Sequence, residues 1–208
     1  MVAHYPISLN LAGKNVIVIG GGKIAERKIR SLLEKGAHIV VISPDLTAGL
    51  KKMAEDKIVF WKNKQFSPSD VESAFLIIAA TNDKQINLAV KRSAGEHQLV
   101  SLVDDPGNSD FQFPSVLRRG KLSIAISTEG ASPILAKEIR KQLEQQFDDQ
   151  YVDYLEFLSE SRKTILETVQ DPTKKKELLK AIVSPSYLGS TNRQKEFQFL
   201  LIQVQGED

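Results

Sequence analysis

Three consecutive glycines, Gly20, Gly21 and Gly22, separate an apolar run from a helical pattern in the stretch NVIVIGGGKIAERKIRSLL, residues 15–33, and few folds accommodate such a junction. Residues 16–19 read as a buried strand, and Ile24, Ala25, Ile29, Leu32 and Leu33 then recur at helical spacing up to Gly36. The order is therefore strand, glycine turn, helix. Gly20, Gly22 and Ala25 fit the spacing G-x-G-x-x-A, in which the first glycine makes a tight turn and the second lets a pyrophosphate reach the helix N-terminus. Ala25 keeps the helix close to the sheet. The alternative is a glycine turn selected only for close packing, and the strand before and helix after favour the phosphate reading.

The same alternation continues. HIVVIS (38–43) repeats the strand signal, a helix is expected around 46–55, and KIVFW (57–61) gives a third strand. AFLIIAAT (74–81) is a fourth strand, TND opens a helix over 84–95, and QLVSLV (98–103) is a fifth strand. Such a series implies an α/β fold, a Rossmann-type parallel sheet with helices on both faces. The pattern changes after Asp104. DDPGNSD is turn-rich, and in FQFPSVLRRGKLSIAIS two adjacent strands are expected, with Leu122, Ile124 and Ile126 alternating against Ser123, Ala125 and Ser127. Ser132 and Pro133 read as an N-cap and first helical residue of a helix running to about Phe147. From Tyr151 the pattern is helical, with breaks at Asp171-Pro172 and at SPSYLGSTN (184–192). The expected divisions are a nucleotide-binding domain over 1–112, a small α+β segment over 113–147 and a helical C-terminal domain over 148–208.

Composition removes several function classes. A formal net charge of +2 over 208 residues makes no field that would recruit nucleic acid, so any cationic site must be local. The chain contains no cysteine, which excludes disulfide frameworks, thiolate metal sites and cysteine nucleophiles. His4, His38 and His97 are scattered without metal-ligand spacing, and no metal site is expected. The longest apolar run, residues 74–80, is too short for a membrane span, and the N-terminus MVAHYPISLNLAGKN lacks the basic and apolar regions of a signal peptide. A cytoplasmic protein without membrane or nucleic-acid partners is expected.

Candidate site residues gather at the ends of the expected strands. The second strand ends VISPD, so Ser43, Pro44 and Asp45 stand where an acid would hold the adenosine ribose of NAD. Either Asp45 or the Ser43 hydroxyl can fill that role, or SPD simply caps the next helix. Ala80 and Thr81 end the fourth strand and can line a dinucleotide, although Thr81 and Asn82 are also good helix caps. Asp104 and Asp105 follow the fifth strand; a carboxylate there can act as general base or metal ligand, while D-P-G by itself is an ordinary turn that Asp105 explains. Asp104 is the candidate catalytic group. Arg118, Arg119 and Lys121, with the helix N-terminus at Ser132, form a candidate anion site, or else a solvated turn.

Taken in order, GGG-x-x-A-x-R-K, A-A-T-x-D, V-D-x-P, F-x-x-P-S and G-x-S-P-x-L-A resemble the precorrin-2 dehydrogenase / sirohydrochlorin ferrochelatase family, whose module is fused to a methyltransferase in sirohaem synthase. The resemblance is close over residues 3–145 and only in outline beyond them. It implies oxidation of precorrin-2 to sirohydrochlorin with NAD as acceptor, toward sirohaem or cobalamin, and leaves open whether ferrous iron is also inserted. It implies cofactor contacts at Gly20, Gly21, Gly22, Lys23, Ile24, Ser43, Pro44, Asp45, Ala80 and Thr81, and an essential carboxylate at Asp104. It further implies a homodimer held through residues 113–147, tetrapyrrole carboxylates met by Arg118, Arg119, Lys121 and Ser132, and a separate enzyme that makes the substrate. A non-enzymatic NAD-sensing module of the kind that gates a transporter is the rival reading. It accounts for the chain only up to Val103.

Overall fold

The computed structural model describes residues 4–206; the extreme ends of the expected domains, at 1–3 and 207–208, lie outside the described residues. The chain forms two compact units, Met1–Phe113 and Pro114–Asp208.

The first unit is built on the strands β1 (Asn15–Ile19), β2 (His38–Ile42), β3 (Phe60–Lys62), β4 (Leu76–Ala79) and β5 (Leu99–Leu102), with helices α1 (Lys23–Leu33), α2 (Ala48–Glu55) and α3 (Lys84–Ser93). All pairings are parallel, in the order β3-β2-β1-β4-β5. Both faces of this sheet are covered, which is why its strands are apolar at successive rather than alternate positions. Val16, Val18, Ile39, Val41, Leu76 and Ile78 pack with Ala25, Ile29 and Leu32 of α1 and with Leu50 and Met53 of α2. Ile17, Ile19, Ile42, Ile77, Val100 and Leu102 pack on the opposite face with Val71 and with Val90 of α3. Each such valine, leucine or isoleucine contributes about 1.5–3 kcal/mol through burial. The helix following β1 thus lies on one face and the helix following β4 on the other, so the winding reverses between these two neighbouring strands. In open α/β sheets that reversal leaves a crevice at the carboxyl ends of the strands.

Two expectations need adjustment here. The third strand begins at Phe60, not at 57, because the chain is still turning out of α2: Asp56 is its C-cap and Lys57 takes a left-handed conformation with φ 57°. The helix opened by TND ends at Ser93 instead of 95, and its N-cap is Asp83, whose carboxylate accepts from the N–H groups of Gln85 and Ile86. The loop after β5 is more ordered than its turn-rich sequence implies. Ser109 Oγ accepts from Leu102 N at 2.9 Å, Asp110 Oδ2 accepts from Val100 N at 2.9 Å, and Asp110 N donates to Val100 O at 2.8 Å. Side-chain oxygens therefore satisfy the outer edge of β5 where another strand would otherwise pair.

In the second unit β6 (Ser115–Arg119) and β7 (Leu122–Ile126) form an antiparallel hairpin that turns at Gly120, φ 53°. Helix α4 (Pro133–Gln146) packs on β6, and α5 (Gln150–Thr168), α6 (Pro172–Ala181), α7 (Pro185–Gly189) and α8 (Arg193–Gln205) follow. Their core is aromatic and aliphatic: Tyr154, Phe157, Ile165, Leu178, Ile182, Tyr187 and Phe197. Both breaks expected in the sequence are helix starts. Asp171 caps α6 ahead of Pro172, and the Ser184-Pro185 pair opens the short α7 inside the second break. Among the described residues no helix is long and apolar enough to cross a membrane.

Candidate functional site

Strand register aligns Ile19 with Ile42 and Ala79, and Ala79 with Leu102, so Gly20, Ser43, Ala80 and Val103 leave the sheet side by side. Every candidate of the first unit lies on or just beyond this edge. The three glycines there serve three different purposes. Gly20 has φ 111°, and a Cβ on it would stand 2.4 Å from the carbonyl oxygen of Ala80. A Cβ on Gly21 would meet the Asp45 carbonyl oxygen at 2.0 Å and Leu46 Cδ2 at 2.7 Å. A Cβ on Gly22 would meet nothing within 4 Å. The fold thus requires Gly20 and Gly21, while Gly22 keeps open space clear in front of α1.

That helix start is suited to an anion. Gly22 is the N-cap in extended conformation and offers no side-chain cap, so the N–H groups of the first turn at Lys23, Ile24 and Ala25 have no intrahelical acceptor. Lys23 and Ile24 are exposed beside them, whereas Ala25 is fully buried against the sheet. Residues and space together fit a dinucleotide pyrophosphate.

Ser43 is buried, with its carbonyl accepting from Trp61 Nε1 at 2.9 Å, while Pro44 and Asp45 are exposed. Helix α2 is capped by Thr47, whose Oγ1 accepts from Leu50 N, so Asp45 does not cap it. The Asp45 carboxylate makes no hydrogen bond among the described residues. Thr47 also donates to Glu26 Oε2 at 2.6 Å, and Arg30 holds Oε1, which ties the first turn of α1 to the start of α2. The Thr47 hydroxyl, and then Arg30, hold the Glu26 carboxyl below its ordinary value. Gly49 leaves room for that carboxylate, since a Cβ there would stand 2.2 Å from Glu26 Oε1. The role of Glu26 was hidden in sequence because its hydroxyl partner lies twenty-one positions away.

At the ends of β4 and β5 the organising residue is Asn87 of α3, only 1% exposed. Its Oδ1 accepts from Thr81 N at 3.2 Å and lies 2.8 Å from Thr81 Oγ1; its Nδ2 donates to Thr81 O at 3.2 Å and to Asp104 Oδ1 at 2.8 Å. The sequence reading passed over Asn87, which sits inside an ordinary polar helix pattern. Ala80 is buried and its N–H donates to Ile19 O at 2.8 Å, so its small side chain is part of the sheet edge. Asp104 is exposed, with one oxygen held by Asn87. Asp105 is spent on the turn: its carboxylate accepts from Asn108 N and, at 2.6 Å, from Asn108 Nδ2. The two neighbouring aspartates are thereby separated into a turn residue and a residue with one oxygen free among the described residues.

Arg118, Arg119, Lys121 and Ser132 belong to the second unit. Arg118 is exposed, Arg119 Nε pairs with Asp149 at 3.2 Å, and Lys121 pairs with Glu156 at 2.9 Å. Ser132 Oγ accepts from Leu135 N at 3.1 Å and caps α4, and its own N–H donates to Thr128 Oγ1.

Comparison with known proteins agrees with this geometry. Residues 7–115 match an NAD(P)-binding family model, 119–146 the central region of sirohaem biosynthesis proteins, and 151–197 the SirC C-terminal domain. The fold and glycine-turn site thus define an NAD(P)-binding protein of the Rossmann type. The chain is 37% identical to the precorrin-2 dehydrogenase of Priestia megaterium over 93% of its own length and 96% of that protein, and 33% identical to the precorrin-2 dehydrogenase of Bacillus subtilis strain 168 over 76% and 98%. A solved structure of SirC, precorrin-2 dehydrogenase, superposes with a TM-score of 0.84 at 36% identity, covering 98% of this chain and all of that one. The chain belongs to the precorrin-2 dehydrogenase family.

Proposed function

We propose that this chain oxidises precorrin-2 to sirohydrochlorin with NAD as the acceptor, acting as a cytoplasmic homodimer. The observation that carries the reading is the open space at Gly22 before an uncapped helix start, on the same sheet edge as Asp104. NAD, when bound, supplies the acceptor for the hydride removed from the substrate. Gly20, Gly21 and Gly22 with the first-turn N–H groups of Lys23 and Ile24 hold its pyrophosphate, Ser43, Pro44 and Asp45 border its adenosine ribose, and Ala80 and Thr81 line its path along the edge. Loss of a hydride alone would leave the substrate cationic, so a proton must also depart. Asp104 accepts that proton through the oxygen that Asn87 leaves free. Arg118, Arg119, Lys121 and the α4 N-terminus at Ser132 meet substrate carboxylates, Arg118 with its charge unpaired among the described residues.

The homodimer is supported by apolar surface on the second unit. Ile134 is 75% exposed and Leu135 52% on the first turn of α4, and the hairpin beneath that helix is buried mainly at Leu117. A bare sensing module would not need the matched regions beyond the sheet domain, and no observation favours it. Anaerobic incubation of the protein with precorrin-2 and NAD, followed by absorbance with and without ferrous iron, tests the reading. Growth of the sirohydrochlorin spectrum only when NAD is present is the expected result; an unchanged precorrin-2 spectrum would refute it, and the iron arm reports chelatase activity separately.

A further inference from the structure

We propose that Asn87 is a positioning residue for Asp104, setting the proton acceptor and the Thr81 wall of the dinucleotide site in one rigid frame. The inference rests on the reading of Asp104 as that acceptor.

A fully buried amide has to be hydrogen-bonded, and Asn87 uses all of its capacity. Its orientation is dictated by its partners. Thr81 N–H can only donate and Thr81 C=O can only accept, so Oδ1 must face the first and Nδ2 the second. The remaining Nδ2 hydrogen then points at Asp104 Oδ1, 2.8 Å away. A flipped amide would break both Thr81 bonds and set oxygen against the carboxylate.

This arrangement has a chemical consequence. The carboxylate of Asp104 is held by one oxygen on the Asn87 amide, which leaves the other oxygen to present its lone pairs. Holding a reacting group in place before the reaction lowers the barrier, and displacements of about 1 Å can cost on the order of 100-fold in rate. The holding group stands on a helix and not on a loop: Asn87 lies in the first turns of α3, with its N–H donating to Asp83 O at 3.1 Å. Sites anchored on such elements are more exact than sites anchored on loops.

The competing role is purely structural, since Asn87 also closes the β4–α3 turn through Thr81. A double-mutant cycle separates the two. Asn87→Ala and Asp104→Asn, singly and together, are compared with the parent in anaerobic single-turnover oxidation of precorrin-2 at saturating NAD, with thermal midpoints and NAD dissociation constants measured on all four proteins. Asn87→Ala is expected to lower the rate on the order of 10–100-fold with Asp104 in place, and less than about 2-fold when residue 104 is already an amide. Equal losses in both backgrounds would reduce Asn87 to a turn residue and overturn the proposal. So would a rate loss in Asn87→Ala alongside an Asp104→Asn protein as fast as the parent. Should Asn87→Ala fail to fold, Asn87→Ser, which leaves a neutral hydroxyl at the buried position and no amide for Asp104, carries the same comparison. A parent protein that does not oxidise precorrin-2 would refute the functional reading itself, and this inference with it.

Discussion

A Cβ on Gly21 would stand 2.0 Å from the carbonyl oxygen of Asp45, whereas one on the adjacent Gly22 would meet no atom within 4 Å. Two neighbouring glycines thus differ: the fold requires the first, and the proposed pyrophosphate site requires the second. Gly21→Ala is expected to push the β2–α2 loop away and cost about 1–3 kcal/mol, which overpacking typically costs. Gly22→Asp is expected to leave the thermal midpoint within a degree or two of the parent and to abolish NAD binding, because it adds bulk and negative charge at the proposed pyrophosphate site. Calorimetric titration with NAD and thermal melts on both variants check the pair. Normal NAD affinity in Gly22→Asp would displace the cofactor from this turn.

Asp45 is expected to select NAD over NADP. Its carboxylate is exposed and free of the helix cap, so it can accept from a ribose hydroxyl and repel a phosphate in the same place. The ratio of kcat/KM for NAD over NADP should exceed about 10 and fall by at least about 10-fold in Asp45→Ser, each factor of ten being about 1.4 kcal/mol. Equal use of both cofactors by the parent would contradict this assignment.

The apolar first turn of α4 is expected to be covered by a second copy of the chain. Light scattering should report about twice the chain mass, and Ile134→Asp, placing a charge at a residue 75% exposed in the single chain, should shift the protein toward monomer without unfolding it. A parent protein that is monomeric at micromolar concentration and fully active would remove the dimer from the account.

Acid should destabilise the first unit through two carboxylates. Burial works against the charge on Asp70, yet the Lys64 hydrogen bond, the N–H and hydroxyl of Ser67 and the Lys64 charge outweigh it and hold this carboxyl below its ordinary value. Glu26 is lowered likewise. A folded-state value below the unfolded one means that the stabilisation is complete above the ordinary carboxylate range and is lost as pH falls through the lowered values. The thermal midpoint should decline below about pH 4, and the gap between the parent and Asp70→Asn, largest near neutrality, should narrow there. A gap independent of pH would contradict the ion-pair origin.

How much of this was legible in the sequence follows from the range of the interactions. The strands around the glycine turn, the hairpin at residues 115–126 and the cap at Ser132 depend on neighbours a few positions away, and their patterns pointed to them, whereas Asp171-Pro172 read only as a break. The third strand was misplaced by three residues because a left-handed Lys57 is a backbone event without a strong side-chain signature. The split between Asp104 and Asp105 was partly visible, since D-P-G marks a turn, but Asn87 was not. It lies seventeen positions from Asp104 and becomes its partner only once β4, α3 and β5 are wound together. Glu26 and Thr47 were hidden for the same reason.

If Asp104 takes the proton released when precorrin-2 is oxidised, removing its charge must lower kcat for that oxidation, measured under anaerobic conditions in Asp104→Asn beside Asp105→Asn. Asp104→Asn is expected to lose on the order of 10²–10⁴-fold in kcat with NAD affinity nearly unchanged, whereas Asp105→Asn, which alters only a turn, stays within about 3-fold of the parent. Undiminished oxidation by Asp104→Asn, or a larger loss in Asp105→Asn, would contradict the account.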